Sequence, residues 1–214
     1  MQYKPQNVSR EIGPDGVEHM YVNGSLAMRM FIIFAAAYVM SYAFRAINAV
    51  IAQPLVQELG LTAGQLGFLA SAYFLSFAIM QLPVGVMLDR YGPRRVEAVL
   101  IGFAALGALL FAVADSYLVL WLGRALIGVG VSACLMAAVK AYSLYFRPHM
   151  QASLSSWMLV AGSLGALTVT TPVEAALPAL GWRGVFGVAA VLCVLAGFAL
   201  WFALPALFKP QKTQ

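Results

Sequence analysis

Two arginines, Arg45 and Arg124, stand inside long apolar stretches of this sequence. An arginine at the bilayer centre costs about 2.5–3.5 kcal/mol even on lenient insertion scales. Such a residue needs a polar interior or a route to the headgroups. Around Arg45, the residues Tyr38, Ser41, Tyr42, Arg45 and Asn48 recur at intervals of three and four. That spacing places them on one helical face. The other faces carry Phe31, Ile32, Ala36, Val39, Met40, Ala43, Phe44 and Ile47. A polar stripe on an apolar helix reads as the wall of an aqueous cavity, with snorkelling as the alternative. Arg124 begins about seven residues, or ~10 Å, into its stretch, so there snorkelling competes on equal terms.

No acid is placed to neutralise either guanidinium. Glu58 and Asp115 fall in loops at one end of the stretches, Asp89 and Glu97 lie at the opposite end, and Glu174 stands at the end of the fifth stretch. A planar guanidinium holds a carboxylate or similar oxyanion through two parallel hydrogen bonds. The expected ligand is a small organic or inorganic anion bound by Arg45. Tyr38, Tyr42, Asn48 and Arg124 are further binding candidates.

The elements that must position these residues are legible from hydropathy. Of 214 residues, 62% are hydrophobic and 10% charged, against about 25% charged in soluble domains. Too little polar surface exists for a water-soluble globule, which excludes a soluble enzyme or a nucleic-acid-binding domain. Six apolar stretches run over about 30–55, 63–87, 96–114, 117–142, 153–173 and 184–204. Each is long enough to cross a hydrocarbon core of about 30 Å. The expected class is therefore an all-α integral membrane protein with six transmembrane helices. Residues 1–28 read as a polar, irregular tail with a small turn at Gly13 to Gly16, 29–205 as the six-span domain, and 206–214 as a second tail.

Basic residues set the orientation. Lys4, Arg10, Arg29, Arg90, Arg94, Arg95, Lys140, Arg147, Lys209 and Lys212 all fall on one side of a six-span chain. The opposite side has Arg183 alone among the bases. This places both termini in the cytoplasm of an inner or plasma membrane. It also accounts for most of the +5 net charge without a nucleic-acid partner. Cys134 and Cys193 fall inside stretches, with neither disulfide nor metal spacing. His19 and His149 both lie outside the stretches, so no hydrolase site or metal site can be assembled within the bilayer. No cofactor is expected.

The loop between the second and third stretches reads Gly85-Val-Met-Leu-Asp89-Arg90-Tyr-Gly92-Pro93-Arg94-Arg95. It resembles the signature loop of the major facilitator superfamily, G-x-L-A-D-R-x-G-R-R/K. Arg124, Gly128 and Gly130 resemble the R-x-x-x-G-x-G core of the family's fourth-helix motif. Arg45, Asn48, Pro54, Leu66, Gly67, Tyr73, Gln81, Leu82, Pro83 and Gly85 look most like the anion:cation symporter branch. The resemblance covers residues 30 to 205. It implies the N-terminal half of an alternating-access carrier, built as two three-helix inverted repeats. It implies that Gly85, Asp89, Arg90, Gly92 and Arg94 form a gating latch against the other half, and not a substrate site.

The sequence departs from that branch at Phe44 and Val131, where symporters of the branch often carry acids. The fifth stretch also lacks the G-P-x-x-G-G of drug:proton antiporters. Glu174 is then the remaining membrane-proximal acid for coupling, and a pairing with Arg183 or a solvated position is preferred for it. Small residues, including Gly102 and Gly107, are expected at helix contacts. Trp182 reads as an interfacial anchor and Lys140 as a snorkelling stem. A carrier completed by a second six-helix half or another copy remains the leading reading. A truncated, non-transporting membrane protein or assembly partner remains the alternative.

Overall fold

A computed structural model describes residues 8–12 and 18–204. The turn expected at Gly13 to Gly16 lies outside the described residues, as do Lys4, Lys209 and Lys212.

The N-terminal segment corrects one expectation. Strands β1 (Val8–Ile12) and β2 (Glu18–Val22) pair antiparallel, with Val8 opposite Val22 and Ile12 opposite Glu18. The apolar pattern of Val8, Tyr21 and Val22 suits a pleated, half-buried ribbon better than an irregular tail. Val22 is buried. Arg147 pairs with Glu11 at 2.8 Å, and Asn23 donates to the Ser9 hydroxyl at 3.0 Å. The ribbon is thereby fixed to the end of the helical bundle.

Helix α1 (Gly24–Leu59) begins earlier than expected and ends at Gly60, whose φ of 65° is left-handed. Helix α2 (Ala63–Tyr91) opens with a capping box: Gln65 donates its backbone N–H to the Thr62 hydroxyl, and Thr62 donates its own to the Gln65 side chain. Gly92, at φ 82° and ψ 158°, joins α2 to α3 (Pro93–Ala112), with Pro93 in the first turn. Helices α4 (Tyr117–Val131) and α5 (Cys134–Tyr145) form one 29-residue apolar run, broken at Ser132 and Ala133. The break frees the Ser132 carbonyl, which accepts from the Gln81 amide at 3.4 Å. A backbone group left free at membrane depth needs such a partner.

Helix α6 (Pro148–Phe198) continues into a π-helical turn over Ala199–Ala203. Five helices are long and apolar enough to cross a membrane, and the fifth and sixth expected stretches share one 56-residue run. A straight helix of that length would extend ~84 Å, nearly three hydrocarbon thicknesses. Gly181 breaks it: its φ of 63° and ψ of 173° are not helical. Trp182 and Arg183, just past the break, meet Glu58 at the end of α1. Trp201 meets Arg94 at the start of α3. The segment that follows Gly181 is thus tied to opposite ends of the bundle at its start and at its end.

Without a hydrophobic drive between helices in lipid, close packing at small residues holds such bundles together. A Cβ on Gly130 would lie 2.2 Å from the Ala104 nitrogen, and one on Gly128 2.3 Å from the Tyr73 carbonyl oxygen. A Cβ on Gly107 would meet the Gly123 carbonyl oxygen at 2.7 Å. Gly102, expected at a helix contact, makes no close approach within this chain, and neither does Gly85 of the signature loop. Gly85 has nothing nearer than the Met136 methyl at 4.0 Å, and Gly102 has open space. Neither position is closely packed within this bundle.

Candidate functional site

The site is built where α1 and α2 face each other. Arg45 is half-buried. Its Nε donates to the Tyr73 hydroxyl at 3.1 Å, and that hydroxyl donates to the Ser41 carbonyl at 3.2 Å. The chain of donors fixes the guanidinium plane. Aromatic rings complete the setting: its central carbon lies 5.1 Å from the Tyr42 ring centroid, 5.9 Å from Tyr73 and 5.0 Å from Phe77. Such contacts contribute most where water is excluded.

Among the described residues, Arg45 pairs with no carboxylate, and its two terminal nitrogens make no hydrogen bond. Its Nε is used for positioning and the rest of the fork stays free. That geometry suits a planar oxyanion.

The expected stripe divides in two. Tyr38 and Ser41 are buried, while Tyr42, Arg45 and Asn48 are half-buried. Tyr38 donates to the Tyr42 hydroxyl at 3.3 Å, with the two rings edge to face at 5.0 Å. A Cβ on Gly162 of α6 would lie 2.6 Å from the Tyr38 ring and 2.9 Å from the Tyr42 ring. Tyr38 is therefore clamped: it donates to Tyr42 and lies within electrostatic reach of Arg45. Asn48 lies one turn beyond Arg45 on the same face and makes no side-chain hydrogen bond to a described residue.

Arg124 is held apart from these contacts. It is 1% exposed, so it does not snorkel. Nη1 donates to the Phe44 carbonyl at 3.1 Å, and the rings of Phe111 and Phe186 lie 4.9 and 5.2 Å from its central carbon. Its Nε and Nη2 are buried without a partner. Phe44 and Arg45 are neighbours in sequence and face different sides of α1, which separates the two guanidiniums. Tyr73 stands within electrostatic reach of both.

The signature loop closes on its own chain. Asp89 pairs with Lys140 of α5 at 2.8 Å, so Lys140 is an ion-pair partner and not a free snorkelling stem. Arg90 lies over the Tyr91 ring at 5.3 Å. Arg94 donates to the Trp201 carbonyl at 2.6 Å and lies over its ring.

At the other end of the bundle, Arg183 pairs with Glu58 and approaches Asp115 at 3.8 Å. Its expected partner Glu174 is instead exposed in α6, with no partner among the described residues. Trp182 is 2% exposed and donates to Glu58 at 2.6 Å, which makes it a buried packing residue and not an interfacial anchor. A third correction concerns Glu97, placed by sequence on the cytoplasmic side. It is fully buried in the second turn of α3, and neither carboxylate oxygen has a hydrogen-bond partner.

Two members of the Arg45 setting escaped chemical reading of the sequence. Tyr73 and Phe77 lie four residues apart on one face of α2, with Gln81 a further four along. An aromatic pair followed by an amide at that spacing was the available signal.

The family model described as the Major Facilitator Superfamily matches residues 33–214. The chain is 29% identical over 182 residues to a probable sulfoacetate transporter of Cupriavidus necator, covering 84% of this chain and 41% of that protein. It is 29% identical over 190 residues to a probable nitrate/nitrite antiporter of Thermus thermophilus, covering 83% and 42%. It is 30% identical over 176 residues to a probable L-galactonate transporter of Escherichia coli, covering 82% and 38%. The chain thus spans about two fifths of the length of these curated relatives. The crystal structure of an auto-inhibited peptide transporter of the POT family superposes with a TM-score of 0.70 at 16% identity, covering 85% of this chain and 39% of that one, a likeness of fold. With a family model matched over most of its length and a fold to agree, this integral membrane chain belongs to the Major Facilitator Superfamily.

Proposed function

We propose that this chain is the N-terminal half of a secondary carrier for a small anion, working by alternating access. The observation that carries the reading is Arg45. Its guanidinium is half-buried within a span, oriented by Tyr73, and without a carboxylate partner among the described residues. A fixed cation in that setting is most simply neutralised by the transported anion. The relatives bear names of sulfoacetate, nitrate/nitrite and galactonate transporters, all anions.

In this reading the break at Gly181 divides the 56-residue run into two crossings, and α4 with α5 makes one. That gives six crossings, arranged as two inverted three-helix repeats. Both termini lie in the cytoplasm, because the bases Arg90, Arg94, Arg95 and Arg147 gather at one end of the bundle. Substrate binds on the face carrying Arg45, Tyr42 and Asn48, against a second six-helix half or another copy. Gly85 and the residues of the Asp89 to Arg94 loop form the gate toward that partner. Glu174 is exposed and forms no ion pair with Arg45, so the reading gives it no part in binding.

The test is binding and uptake of labelled nitrate and galactonate by the reconstituted protein. Arg45→Ala is expected to abolish both, and Arg45→Lys to lose most of the affinity because an ammonium cannot reproduce the planar fork. Full uptake by a correctly inserted Arg45→Ala protein would overturn the assignment.

A further inference from the structure

The chain contains an acid that its transport reading has not used. Glu97 is the one fully buried carboxylate among the described residues, at 0% exposure. It sits four residues into α3, about 6 Å from the helix start. Both oxygens lack hydrogen-bond partners.

Its surroundings are specific. From α5, the Cys134 thiol and the Tyr142 hydroxyl lie within electrostatic reach, the thiol without hydrogen-bond geometry. The Tyr142 hydroxyl is itself buried and unpartnered. From α6, Cys193 lies within reach of Cys134. Arg94, one turn earlier on α3, is turned outward to the Trp201 carbonyl. No lysine, arginine or histidine among the described residues pairs with Glu97. Among the described residues, no charged group of α2, α4 or the π-helical turn forms an ion pair with it.

A carboxylate in such a place has neither countercharge nor donor, and burial disfavours its ionised form strongly. A carboxylic acid fits, because its proton removes the charge. The helices around it are irregular. The α3 start packs beside the α4–α5 break and beside the π-helical turn at Ala199–Ala203. Non-ideal helical turns of this kind recur where elements move.

We propose that Glu97 is a proton-binding site: neutral in the closed packing described here, and releasing its proton when α3 and α5 part and water reaches it. It would thereby link proton movement to anion movement. The linkage rests on the transport reading, while the proton site itself does not. The step is a simple acid dissociation: the Glu97 O–H bond breaks, the electron pair stays on the carboxylate, and water takes the proton.

Infrared spectroscopy of the full chain in lipid vesicles tests the site without requiring transport. At neutral pH, the wild-type protein is expected to show the carbonyl band of a protonated carboxyl, shifting in deuterated water and fading as pH rises. Glu97→Gln should remove the band, and Glu97→Asp should keep one at a displaced frequency. Absence of the band, or its persistence in Glu97→Gln, would overturn the proposal. The linkage is read with labelled nitrate. Where the wild type accumulates nitrate down a pH gradient, Glu97→Gln should lose the response while retaining nitrate exchange. Unchanged gradient-driven accumulation in that variant would overturn the linkage. A wild type that neither binds nor moves any anion would count against the transport reading alone, with the infrared band still deciding the proton site.

Discussion

Arg45 of α1 donates through Nε to the Tyr73 hydroxyl of α2 at 3.1 Å, and Tyr73 donates onward to the Ser41 carbonyl. One phenol therefore ties the cation of one helix to the backbone of the same helix through its neighbour. The arrangement spends one donor of the guanidinium on orientation and leaves the terminal fork unoccupied. Tyr73→Phe keeps the ring contact and removes only the hydrogen bond. Hydrogen bonds to charged groups are worth about 1.5–3 kcal/mol, and partial reorientation around Tyr42 and Phe77 retains some of that. The expected result is roughly tenfold weaker anion binding, about 1.4 kcal/mol, measured by equilibrium binding of labelled anions. Binding equal to wild type would remove Tyr73 from the site.

Gly130 and Gly102 make a matched pair for testing the helix contacts. A Cβ at Gly130 would meet the Ala104 backbone nitrogen at 2.2 Å, whereas nothing lies within 4 Å at Gly102. Backbone cannot yield as a flexible side chain does, so Gly130→Ala must part α3 from α4. Overpacking costs typically about 1–3 kcal/mol, and this contact belongs at the upper end. Gly102→Ala should be neutral or slightly stabilising, since it removes only helix-weakening glycine freedom. Thermal unfolding in detergent compares them, and equal midpoints would show that the α3–α4 approach is looser than described.

At the opposite end, Glu58 receives both the Arg183 guanidinium and the Trp182 indole N–H. The two donors differ in what their loss should cost. The Arg183 and Glu58 side chains are 37% and 46% exposed, and exposed pairs contribute at most about 1 kcal/mol. Trp182 is enclosed, with the Phe111 ring edge to face at 5.6 Å. Removing a buried indole leaves a cavity, and aromatic truncations typically cost about 3–5 kcal/mol in water-soluble cores. Trp182→Ala should therefore lower the unfolding midpoint well beyond Arg183→Ala. The reverse order would mean that the ion pair, not the packing, closes this end.

These sites divide by how each was legible. Helical spacing was enough to find the Arg45 face, because apolar and polar residues segregate every three or four positions on a membrane helix. Loop motifs were legible for a similar reason: Gly92 and Pro93 must turn the chain whatever surrounds them. Ion-pair partners were not. Lys140 reaches Asp89 and Arg183 reaches Glu58 across different helices, and partner choice depends on helix rotation that hydropathy does not encode. Glu97 reads as a group at the cytoplasmic edge, because it stands second in the third stretch with three bases closely before it. Only the packing of α3 against α5 buries it. The expected separation of the fifth and sixth stretches was half visible: Pro178 and Gly181 marked a break, but helical geometry persists up to Gly181 itself.

Orientation in the membrane has a direct chemical test, because both native cysteines are buried and free. A membrane-impermeant thiol reagent should leave the unmodified protein unlabelled in intact cells. Introduced cysteines then report each end separately. Ser116→Cys lies beside exposed Asp115, at the end where Arg183 meets Glu58. Arg95→Cys lies at the end where Arg94 meets Trp201. With the basic end in the cytoplasm, intact cells should label Ser116→Cys strongly and Arg95→Cys only after permeabilisation. The opposite pattern would invert the topology and place the Asp89–Lys140 pair outside. It would also make Glu97 exchange its proton with the external medium, so the same labelling experiment decides which compartment the buried acid serves.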